Sequence, residues 1–426
     1  MAHRRRARTE AQRSGLPRTL HRAAARAAPG RLALVSAQPR YRRIGNAALL
    51  VVLSLVCGFF AAGVNRWYEG RDFHCFWAAG RIVASGGDPY DAQQFVPAIL
   101  TIPPSPERSS IRCGQRLSYP PWTALALAPF GALPLPAAAT LWASLAVMAA
   151  VLGIGWTGEL VGRRRVSWPL IALLVVPTEP FLRTFAEGQF ATFSFALTAG
   201  AALSLSSNKD RAAGISTAAM FVKPHTAAGF GAAVLGFAIL RRRWRFIGAL
   251  GAAALGLAGL SQVLRPGWSL EFIRGVTELG GSIPNRATIW NLTGSWMLAV
   301  VVAAALLAVV VVLVRPRGAD DAEILGLAVA FGLVVAPYAW DHDYVALAIP
   351  WTMIIGNARQ LRPLLRRVLT MSTVMVAAPL VWVLAAVATL RGTESLSVVV
   401  PMLTVVLLAL AIRWGTRRVS DAPSTS

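Results

Sequence analysis

From residue 44 onward the chain alternates between apolar runs and short basic clusters. The runs at 44–64, 137–158, 167–185, 190–206, 246–264, 294–314, 324–339, 344–357, 367–390 and 396–413 are continuously apolar, without the alternation of a half-buried strand. In lipid only helices and closed barrels satisfy their own backbone, and segments near 20 residues can cross as helices. The pattern predicts an all-α polytopic membrane protein. Between the runs lie GRRR at 162–165, SNKDR at 207–211, RRRWR at 241–245, RPRG at 315–318 and RWGTRR at 413–418. Cytoplasmic loops carry the excess of lysine and arginine. Placing every cluster on that side threads about 12 crossings with both ends of the chain inside.

Two stretches break the rhythm. Residues 121–134 (PWTALALAPFGALP) are apolar but short and cut by prolines, which suits a re-entrant or interfacial helix. Residues 212–222 and 226–240 flank Lys223-Pro224-His225, so they are expected as two part-helices broken at the proline, with Lys223 near the outer side. The expected organisation is a basic cytoplasmic tail at 1–43, a transmembrane domain at 44–414 with a sizeable outer loop at 65–120, and a second tail at 415–426.

Composition sharpens this picture. Only 14% of residues are charged, against about 25% in ordinary soluble domains. The net charge of +23 would suit a nucleic-acid binder, but twelve arginines sit in residues 1–43 against one acid, Glu10. Most of the rest lie in the clusters between runs. No nucleic-acid partner is expected; membrane lipids are. The tail lacks apolar periodicity and is expected to be disordered. The run at 44–64 exceeds the 7–15 residues of a signal-peptide core and reads as an uncleaved first span.

The same threading sorts the chemistry. His74, His225 and His342 all fall on the outer side, with Asp72, Glu187, Lys223, Asp341 and Asp343. Polar groups gathered on one face of a bundle suggest an active site there. Asp72, just beyond the first span, is placed to act as a general base towards a hydroxyl, or simply to end a helix beside Arg71. Residues 85–90 (SGGDPY) read as a turn. Tyr119 and Trp122 of YPPW fit an aromatic belt, and Glu187-Gly188-Gln189 reads as a cap. Lys223 in an apolar hairpin calls for an anion, a phosphate or a carboxylate such as Glu187, unless it snorkels. Asp341-His342-Asp343 leaves three readings open: a metal site, a proton relay or a phosphate-binding imidazolium. No established metal motif is present, and neither metal nor cofactor is expected. Cys75 and Cys113 share the 65–120 loop and either form a disulfide in an oxidising compartment or stay separate thiols.

Taken in order, RDFHCFWAAGR at 71–81, GGDPY at 86–90, YPPW at 119–122, EGQ at 187–189, GISTAAMFVKPH at 214–225 and PYAWDHDY at 337–344 resemble glycosyltransferase family 87 of the GT-C superfamily. The resemblance spans about residues 45–360. It implies a GT-C-like bundle and inverting transfer of a hexose, mannose among them, from a polyprenyl-phosphate donor to a lipid or glycan acceptor. The active site would face the exterior of a bacterial cytoplasmic membrane. Asp72 would be the base, Lys223, His342 and His225 would face the donor phosphate, and Tyr119, Glu187, Gln189, Asp341 and Asp343 would line the substrate. The stretch at 101–118 departs from the family's shorter forms. A lipid-linked-sugar flippase and an O-antigen-ligase-like enzyme are the alternatives. The first would favour mid-membrane charges in repeated positions and the second a large late outer loop; the sequence has neither.

Overall fold

The computed structural model describes residues 50–52, 54–59, 71–102, 113–162, 166–282, 286–316 and 318–415. Residues 1–43, most of the expected first span and the proline-rich stretch 103–112 lie outside these. The chain divides into two units, Met1–Leu53, of which residues 50–52 are described and helical, and Ser54–Ser426, which contains all the candidate residues. The described residues form helices and no strands, as the continuous apolar runs require.

Numbered from Arg71, the helices begin with α1 (Arg71–Ala84) and α2 (Ala92–Leu100), so the expected outer loop is itself partly helical. Then come α3 (Pro121–Gly131), α4 (Leu135–Val161), α5 (Trp168–Val175), α6 (Glu179–Glu187) and α7 (Ala191–Ser206). Next are α8 (Asp210–Ala219), α9 (Pro224–Leu240), α10 (Trp244–Leu264), α11 (Trp268–Ser282) and α12 (Ile289–Thr293). The series closes with α13 (Trp296–Val314), α14 (Asp321–Val334), α15 (Ala348–Ala358), α16 (Pro363–Met375), α17 (Val381–Arg391) and α18 (Val399–Trp414).

Helix lengths among the described residues do not confirm 12 crossings. Five of the described helical stretches are long and apolar enough to span a bilayer, or six if α5 and α6 form one span bent by 70°. The helix α7 has 16 residues and α9 has 17, and all 11 residues of α15 are buried. The helix α15 can be short because protein surrounds it, so it need not match the lipid thickness. The expected span 167–185 is therefore two helices, turned at residues 176–178 ahead of Pro180.

The segregation of charge does appear. Arg243, after α9, pairs with Asp210 at the start of α8 at 2.9 Å and with Asp321 at the start of α14 at 3.1 Å. It also donates to the carbonyl of Leu205 near the end of α7. The other ends of these helices carry Gln189, Lys223 and the 341–343 turn. With α9 rising about 1.5 Å per residue, the two charged groups are roughly 25 Å apart.

Two glycines set the position of α1. A Cβ on Gly80 would strike the carbonyl of Leu127, and one on Gly131 would strike the backbone of Gly80 and Arg81. The backbones of α1 and α3 thus meet without side chains between them. Gly131→Val should lower the thermal midpoint in detergent by the equivalent of at least ~1–3 kcal/mol, the usual cost of overpacking. Gly248→Val in α10, where an added Cβ meets open space, should leave the midpoint unchanged or raise it.

Candidate active site

Asp72 stands in the first turn of α1, half-buried. Its neighbours Phe73 and Phe76 pack on Trp142 of α4, with ring centroids 5.3 and 5.8 Å apart. A disulfide joins Cys75 to Cys113 with Cα atoms 5.7 Å apart, tying α1 to the segment that leads into Tyr119. The Tyr90 hydroxyl donates to the Tyr119 carbonyl at 2.6 Å and secures the same segment. Burial raises the Asp72 pKa, and the Glu187 carboxylate adds to the rise, while His342, Gln189 and Lys223 oppose it.

The residue facing Asp72 is Gln189, whose Nε2 donates to Asp72 Oδ2. Gly188 explains how it gets there. It ends α6 in the left-handed conformation, φ 73°, which glycine adopts without strain. Its carbonyl accepts from Trp142 Nε1 at 2.8 Å, which fastens the turn to α4. The residue read as a cap in the sequence is thus also a contact of the candidate base.

Lys223 lies at the break between α8 and α9, after a single 3₁₀ turn at Met220–Val222 and before Pro224. The interrupted helix leaves carbonyls without intrahelical partners. Trp122 Nε1 donates to the Phe221 carbonyl and Thr123 Oγ1 to the Val222 carbonyl, each at 3.0 Å. Trp122, expected in an aromatic belt, therefore caps the broken helix. The Lys223 ammonium is 1% exposed. It pairs with Asp343 Oδ1 at 2.5 Å, not with Glu187, and approaches His342 Nε2 at 3.3 Å and Gln189 Oε1 at 3.4 Å. Burial opposes ionisation of Asp343, but Lys223 and His342 outweigh it and hold its pKa down at about 2. Burial and Lys223 push the His342 pKa down, while Asp343 and Glu187 raise it further, so the net direction is upward. Glu187 Oε2 lies 3.4 Å from His342 Nδ1.

Asp341 and Asp343 diverge instead of flanking His342 as one ligand set. Asp341 is held by Arg183, whose Nη1 lies 2.6 and 2.7 Å from its two oxygens. The same guanidinium meets Glu187 at 3.0 Å, Glu394 at 2.7 Å and Glu179 at 3.9 Å. Thr184 Oγ1 donates to the His342 carbonyl, so α6 carries both the charged and neutral anchors of the 341–343 turn. Among the described residues no group of three or more His, Cys, Asp or Glu has the geometry to hold a metal. Tyr119 and His225 stand to one side. The His225 ring packs edge-on to Tyr338 at 4.8 Å and lies 6.3 Å from Tyr119, and its Nε2 is buried without a hydrogen-bond partner.

Arg183 and Glu394 were not among the candidates. Arg183 had a readable signal: Glu179, Arg183 and Glu187 are spaced four apart on one helical face, the spacing of intrahelical ion pairs. Glu394 had none, because it reaches the site from a turn far along the chain.

The family model of glycosyltransferase family 87 matches residues 117–349, more than half of the chain. No curated protein and no solved structure matches. The matched stretch contains every candidate from Tyr119 to Asp343, whereas Asp72 and the Cys75–Cys113 bridge, both on or anchored to α1, begin outside it.

The depressed pKa of Asp343 has a defined stability signature. Its contribution is fully present above the ordinary carboxylate pKa and is lost as pH falls from about 4 through about 2. Asp343→Asn leaves Lys223 buried without its counter-ion and should destabilise the protein by about 3–5 kcal/mol at neutral pH. Thermal midpoints across pH 2–7 test both statements. The mutant's deficit should shrink on the acid side of pH 4.

Proposed function

We propose that this chain, which belongs to glycosyltransferase family 87, transfers a hexose from a polyprenyl-phosphate donor to a hydroxyl of a lipid or glycan acceptor, with inversion. The reaction would take place on the outer face of a bacterial cytoplasmic membrane. The observation that carries this reading is the meeting of Asp72, through Gln189, with the buried Lys223–Asp343 pair and His342, at the helix ends opposite the Arg243 group. A base close to groups that can face a departing phosphate is what a single displacement at an anomeric carbon needs.

In the proposed step Asp72 accepts the acceptor's hydroxyl proton as that oxygen forms a bond to the anomeric carbon. The bond from this carbon to the phosphate oxygen breaks, and the polyprenyl phosphate leaves with the electron pair. His342 and, behind it, Lys223 supply positive potential where that charge develops; His225, whose pKa burial and Lys223 push down, lies alongside as an uncharged ring. Tyr119, Glu187, Asp341 and the surrounding turn shape the acceptor side. Because burial keeps the proton on Asp72 to a higher pH than usual, transfer should rise with pH through that elevated pKa.

The assay is incubation of purified protein with polyprenyl-phosphate mannose or glucose and a membrane lipid extract, followed by mass spectrometry of the products. Asp72→Asn keeps the side chain's size and should lower transfer by about 10²–10⁴-fold without lowering the thermal midpoint. Turnover near the wild-type rate would remove Asp72 from the role, and no product with any polyprenyl-phosphate sugar would overturn the donor class.

Orientation has a separate test. Ser85 and Arg242 are both exposed; Arg242 belongs to the arginine group, and Ser85 precedes Gly86, which lies near Arg265 at the opposite end of α10. In intact cells Ser85→Cys should react with an impermeant maleimide, and Arg242→Cys only after permeabilisation. The opposite pattern would move the site to the cytoplasmic face.

A further inference from the structure

The Lys223 ammonium has no open side. Asp343 Oδ1 and Gln189 Oε1 lie at 2.5 and 3.4 Å from it as acceptors, the His342 ring closes a third side at 3.3 Å, and only 1% of the residue is exposed. A phosphate could reach Nζ only by displacing one of these neighbours. The most easily displaced of them, Gln189, is the residue bonded to Asp72.

We infer that Lys223 and Gln189 are positioning residues: the ammonium orients the Gln189 carboxamide, and the carboxamide holds Asp72 in place as the acceptor's base. The inference rests on the reading of Asp72 given above. It assigns Lys223 to the base side of the reaction, through Gln189, and not to direct contact with the donor phosphate.

The orientation of the amide follows from charge. Gln189 Oε1 faces the ammonium and also accepts from the Phe190 backbone N–H at 3.4 Å, while Nε2 faces the carboxylate. Flipping the amide would set its N–H groups against an ammonium and its oxygen against a carboxylate, unfavourable at both ends. Gln189 is 7% exposed, so water cannot readily replace either contact. Lys223 is itself fixed by Asp343, which accepts from the Trp340 backbone N–H at 3.0 Å. A fixed chain of contacts thus runs from the 340–343 turn through the helix break and the α6–α7 turn to Asp72 on α1.

Besides Gln189, the groups that act on Asp72 are Glu187 of α6, His342 of the 341–347 turn, Lys223, and the hydroxyls of Tyr119 and Tyr338. Glu187 favours protonation of Asp72. His342 and Lys223 favour its ionised form, as does the hydrogen bond from Gln189.

The test reads Asp72 directly. Dicyclohexylcarbodiimide reacts with buried carboxyls in their protonated form, and peptide mass spectrometry reports its adduct at Asp72 as a function of pH, with no sugar present. Gln189→Glu keeps the shape of the side chain and removes the N–H donor; Gln189→Leu removes both polar ends. In both variants half-maximal labelling should move up by about one to two pH units, the equivalent of one hydrogen bond to a charged group. The pair Lys223→Met with Asp343→Leu, which leaves neither charge buried alone, should move it in the same direction. With polyprenyl-phosphate mannose as donor, all three proteins should lose kcat at pH 7 and keep the donor KM.

An unchanged labelling pH in Gln189→Glu would overturn the inference. So would a Lys223→Met/Asp343→Leu protein with a donor KM raised tenfold or more and normal Asp72 labelling, which would make Lys223 a phosphate ligand. The proposed reaction fails separately: if wild type transfers no sugar, or Asp72→Asn transfers normally, while the labelling shifts occur, the positioning stands and the assigned chemistry falls.

Discussion

A lysine and an aspartate buried together in a bundle of apolar helices constrain much of this structure. Each ion alone would cost several kcal/mol to remove from water, and their attraction offsets this only with close geometry and further hydrogen bonds. Lys223 and Asp343 meet at 2.5 Å with both side chains almost wholly enclosed. To bring them there, the chain breaks one helix at Lys223-Pro224 and replaces the start of another with the 3₁₀ turn Asp341–Leu347. The loosened carbonyls are taken up by Trp122 and Thr123, and Asp343 is held by the Trp340 amide. The irregular backbone follows from the need to bury and satisfy this pair.

Around it the charges form a graded arrangement. On one side Gln189 connects the pair to Asp72, a carboxyl that burial inclines to keep its proton. On another, His342 connects it to Glu187 and then to Arg183, where one guanidinium serves four carboxylates. With Asp343 beside Lys223 and Glu187 beside His342, neither cation is buried without a carboxylate. The arginine group around Arg243 lies at the other ends of the same helices. The apolar lengths of α7 and α9 separate the two, so the molecule presents different chemistry at its two ends.

The rigid parts of the site come from contacts that are not themselves chemical. The close approach of α1 and α3 at Gly80 and Gly131, the Cys75–Cys113 bridge and the Phe73–Phe76–Trp142 packing all hold the helix that carries Asp72. Trp142 also fastens the turn that carries Gln189. One tryptophan on α4 thus bears on both partners of the central hydrogen bond.

Much of this architecture could be read from the sequence. Unbroken apolar runs required helices, the arginine clusters divided the two ends, and Lys223-Pro224 marked a helix break because proline lacks an N–H and favours a helix start. The order of the motifs also indicated the family that the match over 117–349 supports. What the sequence could not decide was pairing. A buried lysine demands an anion, but whether Glu187, a phosphate or Asp343 provides it depends on which helix ends meet, and Asp343 lies 120 positions away. The expected count of about 12 crossings exceeds the described helices long enough to span for a related reason. Apolar composition shows that a segment avoids water, but lipid and neighbouring helices satisfy that preference equally. Only the packed structure distinguishes α13, with most of its surface uncovered, from α15, which protein covers completely.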